Sequence, residues 1–158
     1  MPDVERAELE SAMAADMRAL AAASEQLGRV FAGQHELGAN DFQALLRIMV
    51  ADVEGAPLTV GRLGSSLGMS SAAMTYLVER MISSGHIRRE PDPNDRRRVI
   101  LRYDDHGMEV AREFFGPLGE LTRGALADVD EADLATAHRV FGILIGAVRT
   151  YEQRLTSG

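Results

Sequence analysis

The 158-residue chain contains no cysteine. Disulfides, thiolate metal sites, a nucleophilic cysteine and thiol-based redox sensing are thereby excluded. Lysine is absent too, and all 17 basic residues are arginine. Codon usage in a GC-rich genome is the simplest explanation. The chemical consequence stands regardless, because arginine is better than lysine at bidentate contacts with phosphate and guanine. No apolar run approaches the roughly 18 residues of a membrane span. The start "MPDVERAELE" is acidic and polar, unlike a secretory signal, so a cytoplasmic location without membrane contact is expected. No GxSxG, Walker loop, dinucleotide fingerprint or metalloprotease motif occurs, so neither enzyme activity nor a cofactor is expected. The four histidines (35, 86, 106 and 138) form no HxxxH pair. Isolated surface or cap histidines are the ordinary reading, ahead of a metal site assembled with Glu36 or Asp105, and no metal is expected.

What is present is ordinary in amount and uneven in placement. Apolar residues make up 46% and charged residues 26%, as in a folded globular chain, and the formal charge is −7. Residues 58 to 102 nevertheless hold eight arginines against four acids, while the remainder holds nine against 20. A basic middle lies between acidic ends. Its densest part is "EPDPNDRRRVILRY", residues 90 to 103, where three arginines follow a string of turn formers. An acidic total does not exclude nucleic acid, since binding depends on the local footprint.

Periodicity divides the chain into helices and one hairpin. Leu9, Met13, Met17, Leu20, Leu27 and Phe31 mark a long helix over residues 5–33, broken at Gly38. Asn40 with Gln43 resembles a capping box for "DFQALLRIMVADV". Thr59 is a candidate N-cap for "VGRLGSSL", which ends at Gly68, and glycines 61 and 64 inside it suggest close packing. Ser70 or Ser71 caps "AAMTYLVERMISS", which Gly85 stops. These two helices form a helix-turn-helix pattern, with an ordinary packed pair as the plain alternative. "HIRRE" and "RRVILRY" then alternate as strands around "PDPND", with Val99, Leu101 and Tyr103 on one face. A helix-turn-helix followed by a ribbon with an arginine tip is a winged helix. Beyond it, Asp104 caps a helix from near Gly107, kinked at Pro117, and Asp130 caps a last helix to about Leu155.

Residues 58 to 107, and above all "DPNDRRR" with its spacing to Gly107, resemble the MarR family of bacterial winged-helix transcription regulators. The resemblance implies a mostly α fold with a small β-wing, in a single structural domain. Residues 1–36 would be an N-terminal dimerisation helix, 37–104 the winged helix-turn-helix lobe, and 105–158 C-terminal dimerisation helices. It further implies a homodimer on double-stranded DNA with a pseudo-palindromic operator, a repressor released by a small lipophilic or phenolic effector. The alternative is an interaction or ligand-sensing module of the same fold that has lost DNA binding.

Carried over by position, Ser70, Ser71, Ala72, Thr75 and Tyr76 would lie at or face base edges, with Arg80 on phosphate. Asp95 would hold Arg97 in the minor groove, in an extended strand, while Arg96 and Arg98 take phosphates. Phe31, His35, Phe42, Met49, Phe114 and Phe115 would line an effector pocket. Tyr103-Asp104 replaces the family's usual Leu-Thr, and Tyr76 stands where a basic or amide residue is common.

Overall fold

The computed structural model describes residues 2–157, with side chains from residue 5 onward. The alanine-rich, helix-favouring start forms α1, Pro2–Gln34. It ends in a left-handed turn at Glu36 (φ 55°), where the Leu37 N–H donates to the Ala32 carbonyl at 2.9 Å. Gly38 is therefore not the breaker. It is the N-cap of α2, Ala39–Val53, and its N–H donates to the Asp41 carboxylate at 3.2 Å. The expected Asn40–Gln43 box lies inside the helix instead. Asp41 takes the role because it is buried and already held by a residue far along the chain.

The next two helices follow their caps. Thr59 Oγ1 accepts from the Arg62 N–H at 3.3 Å and opens α3, Val60–Leu67, which Gly68 closes in the left-handed region. Ser70, rather than Ser71, caps α4, Ser71–Ser83, accepting from the Ala73 N–H at 3.3 Å. Of the two glycines in α3, only Gly64 is sterically required. A Cβ there would stand 2.7 Å from Met74 Cγ, whereas Gly61 faces open space.

The wing is an antiparallel pair, β1 (Ile87–Pro91) and β2 (Val99–Tyr103), with Ile87 opposite Tyr103 and Pro91 opposite Val99. The expected alternation along β2 fails. Ile100 and Leu101 are both fully buried and Val99 is exposed. The ribbon's base is covered on both faces, and its outer edge is tied down where the Leu101 N–H donates to the Leu58 carbonyl at 2.8 Å. A strand enclosed in this way does not alternate. Asp104 Oδ1 accepts from the Asp105 N–H at 3.0 Å and opens α5, Asp105–Ala125, two residues before Gly107. The helix runs on through Pro117. The last helix is α6, Glu131–Thr156, with Asp130 at the N-cap but no side-chain cap bond.

The chain falls into two compact units, Met1–Phe114 and Phe115–Gly158. The core of the first unites Leu45 and Ile48 of α2, Leu63 of α3, Met74, Leu77, Val78 and Met81 of α4, and Ile87 and Leu101 of the wing base. Each such side chain contributes roughly 1.5–3 kcal/mol by leaving water. The second unit has no comparable core. Among the described residues α6 buries none, and it leaves Phe141, Ile145, Val148, Tyr151 and Leu155 exposed at helical spacing. None of the described helices is long and apolar enough to cross a membrane.

Candidate nucleic-acid interface

Helix α4 buries one face and presents the other. Met74, Leu77, Val78 and Met81 pack inward, so residues offset from them by a few positions must point out: Ser71, Ala72, Thr75 and Tyr76 are all exposed. Tyr76 is 71% exposed, high for an aromatic side chain on a well-packed helix. Thr75 Oγ1 donates to the Ser71 carbonyl at 2.9 Å, which leaves its oxygen lone pairs as the group offered outward. Ser70 accepts as the cap and keeps its hydroxyl proton for a partner.

The wing tip is a closed turn. Asp92 is buried, and its Oδ1 accepts from the Asn94 N–H at 2.8 Å. The Asp92 N–H donates to the Arg98 carbonyl at 2.9 Å, and the Arg98 N–H to the Asp95 carbonyl at 2.8 Å. Asp95 and Arg97 thus sit in a turn, not in the extended strand the sequence suggested. Their pairing survives in another form: Asp95 Oδ1 accepts from the Arg97 backbone N–H at 3.1 Å and lies 3.6 Å from its Nε. The Arg97 side chain is otherwise 95% exposed. Arg98 turns inward, 3.7 Å from Asp92 Oδ2, and donates to the Pro57 carbonyl at 3.4 Å.

The ribbon's base is bound firmly to α2. The buried Tyr103 hydroxyl donates to the Leu45 carbonyl at 2.5 Å, and burial, with the nearby Asp52 charge, pushes the phenol well above its usual range. Arg102 joins Asp52 Oδ1 at 2.5 Å and Glu90 Oε1 at 3.0 Å. Burial lowers the Arg102 pKa, but the two carboxylates outweigh it and raise it overall. Asp52 is raised by burial, against the pull of Arg102. The wing is therefore a rigid extension of the core.

A sequence profile described as MarR family matches residues 37–98, the segment that carries this geometry. The winged-helix segment of the chain is thus similar to the MarR family. It is 37% identical over 81 residues to the uncharacterized HTH-type transcriptional regulator YcgE of Bacillus subtilis (strain 168), covering 51% of this chain and 53% of that one. It is 35% identical over 92 residues to the HTH-type transcriptional regulator TtmR of Methylorubrum extorquens (strain PA1), covering 56% and 45%. The chain thus spans about half the length of these two relatives. The fold is also that of a MarR family protein from Bacillus stearothermophilus, with TM-score 0.62, 23% identity, and coverage of 94% of this chain and 99% of that one.

The sequence count of charge overstates the free positive charge. Arg80 is paired with Asp41, Arg88 with Glu90, Arg89 with Glu79, Arg98 with Asp92 and Arg102 with Asp52. Two of those acids, Asp41 and Asp52, lie outside the basic segment. Among the described residues Arg62 and Arg96 pair with no carboxylate, and Arg97 pairs only loosely. Arg62 is exposed in the first turn of α3, where an arginine beside apolar residues reads from sequence alone as a solvated helix face.

Four of the expected effector residues, Phe31, His35, Phe42 and Phe114, form a packed aromatic cluster. Phe31 stacks on His35 at 4.0 Å between ring centroids and meets Phe42 at 5.9 Å and Phe114 at 4.9 Å. Met49 packs against the same core, and Phe115 lies in the second unit. A groove of about 580 Å³ runs beside the cluster between α1 and α2, lined by Gly28, Ala32, Leu37, Phe42 and Gln43 among others. Only Phe42 is common to both. The sequence also contains one His-x-x-Glu, in which His106 Nδ1 stands 3.4 Å from Glu109. No described cluster of three or more histidines and carboxylates could hold a metal ion.

Proposed function

We propose that this chain is a homodimeric MarR-family regulator of transcription that acts in the cytoplasm on double-stranded DNA. The observation that carries the reading is the joint presentation, on one rigid core, of the polar face of α4 and the exposed Arg97 at the wing tip. A helix of α4's diameter fits the major groove, and an unburdened guanidinium on a turn fits the adjacent minor groove. Arg96 and Arg62 supply unpaired charge for phosphates on either side. The acidic remainder of the chain limits sticking to polyanions elsewhere.

Homodimerisation is supported by the apolar stripe of α6 and by Leu9, Leu20 and Leu27 on α1, all exposed in the single chain. Isolated apolar residues on a surface are ordinary, but two helices with continuous apolar stripes need a covering surface. A two-fold dimer would read a pseudo-palindromic operator with half-sites about 10 bp apart. We place the chain among repressors whose operator binding a small lipophilic or phenolic molecule weakens. Such a molecule must bind one spacing of the two α4 helices better than the other, or it shifts nothing.

The test is selection of genomic DNA fragments by the purified protein beside Arg97→Ala. A recovered palindrome whose affinity falls by about 1–3 kcal/mol in the variant is the expected result. Equal binding by the variant would refute the wing's role. No enrichment at all by the wild type would favour an interaction module.

A further inference from the structure

Arg80 lies on α4 one turn after Tyr76, on the same outward face. Its side chain turns back toward α2. Nη1 donates to Asp41 Oδ2 at 2.9 Å and Nη2 to Oδ1 at 2.5 Å, a two-point fork between residues 39 apart in sequence. The Asp41 side chain is only 7% exposed, while that of Arg80 is 48% exposed. The same carboxylate caps α2 through the Gly38 N–H. On its other side the Arg80 guanidinium stands 5.7 Å from the centroid of the Tyr76 ring. One planar cation therefore joins the start of α2 to the exposed tyrosine of α4.

We propose that Arg80 is a positioning residue, not a phosphate ligand: anchored on Asp41, it sets the rotation of α4 and the pose of Tyr76 against the bases. This rests on the DNA-binding reading above. Three features support the assignment. A fork on a nearly buried carboxylate fixes direction as well as distance, which a single surface ion pair does not. Its charge is already matched by Asp41, so moving it to a phosphate would strand a buried carboxylate, an arrangement that costs more than an exposed contact returns. The ring-facing side of a guanidinium favours an aromatic partner, so Tyr76 is held without losing its outward hydroxyl.

The two roles differ in sign and in salt dependence. The wild type, Asp41→Asn, Arg80→Gln, Arg80→Lys and Tyr76→Ala are titrated with the selected operator and with its single-base variants at several salt concentrations, after thermal melts. A positioning residue gives weaker operator binding in Asp41→Asn and Arg80→Gln, by about tenfold or more, with the wild-type salt slope. The lost preference falls at the same base positions as in Tyr76→Ala. A purely structural role would lower affinity for all sequences alike and leave those preferences intact. A phosphate ligand gives the opposite pattern: Asp41→Asn releases the cation and tightens binding, while Arg80→Gln reduces the salt slope by about 1. Either of those last two patterns overturns the proposal but leaves DNA binding standing. Absence of any selected DNA for the wild type overturns both.

Where a neutral variant loses its melting transition, Arg80→Lys decides, since it keeps the charge and loses the fork. Wild-type affinity and preference in that variant would also overturn the proposal.

Discussion

Helices α4 and α6 are both amphipathic, yet they end in opposite circumstances. In 13 residues α4 buries Met74, Leu77, Val78 and Met81, whereas α6 buries nothing in 26. The difference is not one of apolar content, since α6 carries Leu134, Phe141, Ile145, Val148, Tyr151 and Leu155 at spacings of three, four and seven. It lies in what the same chain offers as a partner. Around α4 stand α2, α3 and the wing base, each with its own apolar face. The first unit is therefore stabilised from within, and the second unit's apolar stripe awaits another surface.

Three experiments press on that contrast. The largest effect should come from placing charge on the α6 stripe. Phe141→Asp with Val148→Asp should abolish self-association, read by analytical ultracentrifugation, while the far-UV spectrum of the first unit persists. A dimer that survives both substitutions would show that α6 is covered by something else. Next, Leu77→Ala should cost about 2–5 kcal/mol in chemical unfolding, because it opens a cavity in a core that cannot collapse around it. A cost below about 1 kcal/mol would mean that α4 is far less firmly held than its burial indicates.

The smallest effect concerns His86, which bonds Ser84 at 2.7 Å and whose ring lies tilted against that of His106, 4.4 Å away, at the start of α5. Burial, then the neighbouring His106 charge, lowers its pKa below the ordinary 6.5, against a weaker upward pull from Asp41. The unfolded chain therefore binds this proton more readily. The corresponding stability is complete above about pH 6.5 and is lost as pH falls from there through the folded pKa. Stability measured between pH 7.5 and 5 should decline more steeply in the wild type than in His86→Gln. Parallel curves would remove the histidine from the account.

Much of the winged lobe could be read in advance because its signals are local. A cap such as Thr59 or Ser70 acts within three residues, and a glycine such as Gly68 or Gly85 ends a helix by its own left-handed conformation. The failures have a common cause. Asp41 displaced the Asn40 box because Arg80 reaches it from another helix. Ile100 is buried because the wing base is enclosed on both faces. Arg98, counted as a free cation, turns in to Asp92 and Pro57.

By itself the sequence determined which segments are helices, where the hairpin turns and that its tip is basic. Each of those depends on neighbours a few residues away. Tertiary structure alone decided which arginines remain free, which carboxylates hold the others, and which helix finds no cover. Ion pairing and burial act between groups brought together from distant positions, and no periodicity along the chain records those meetings.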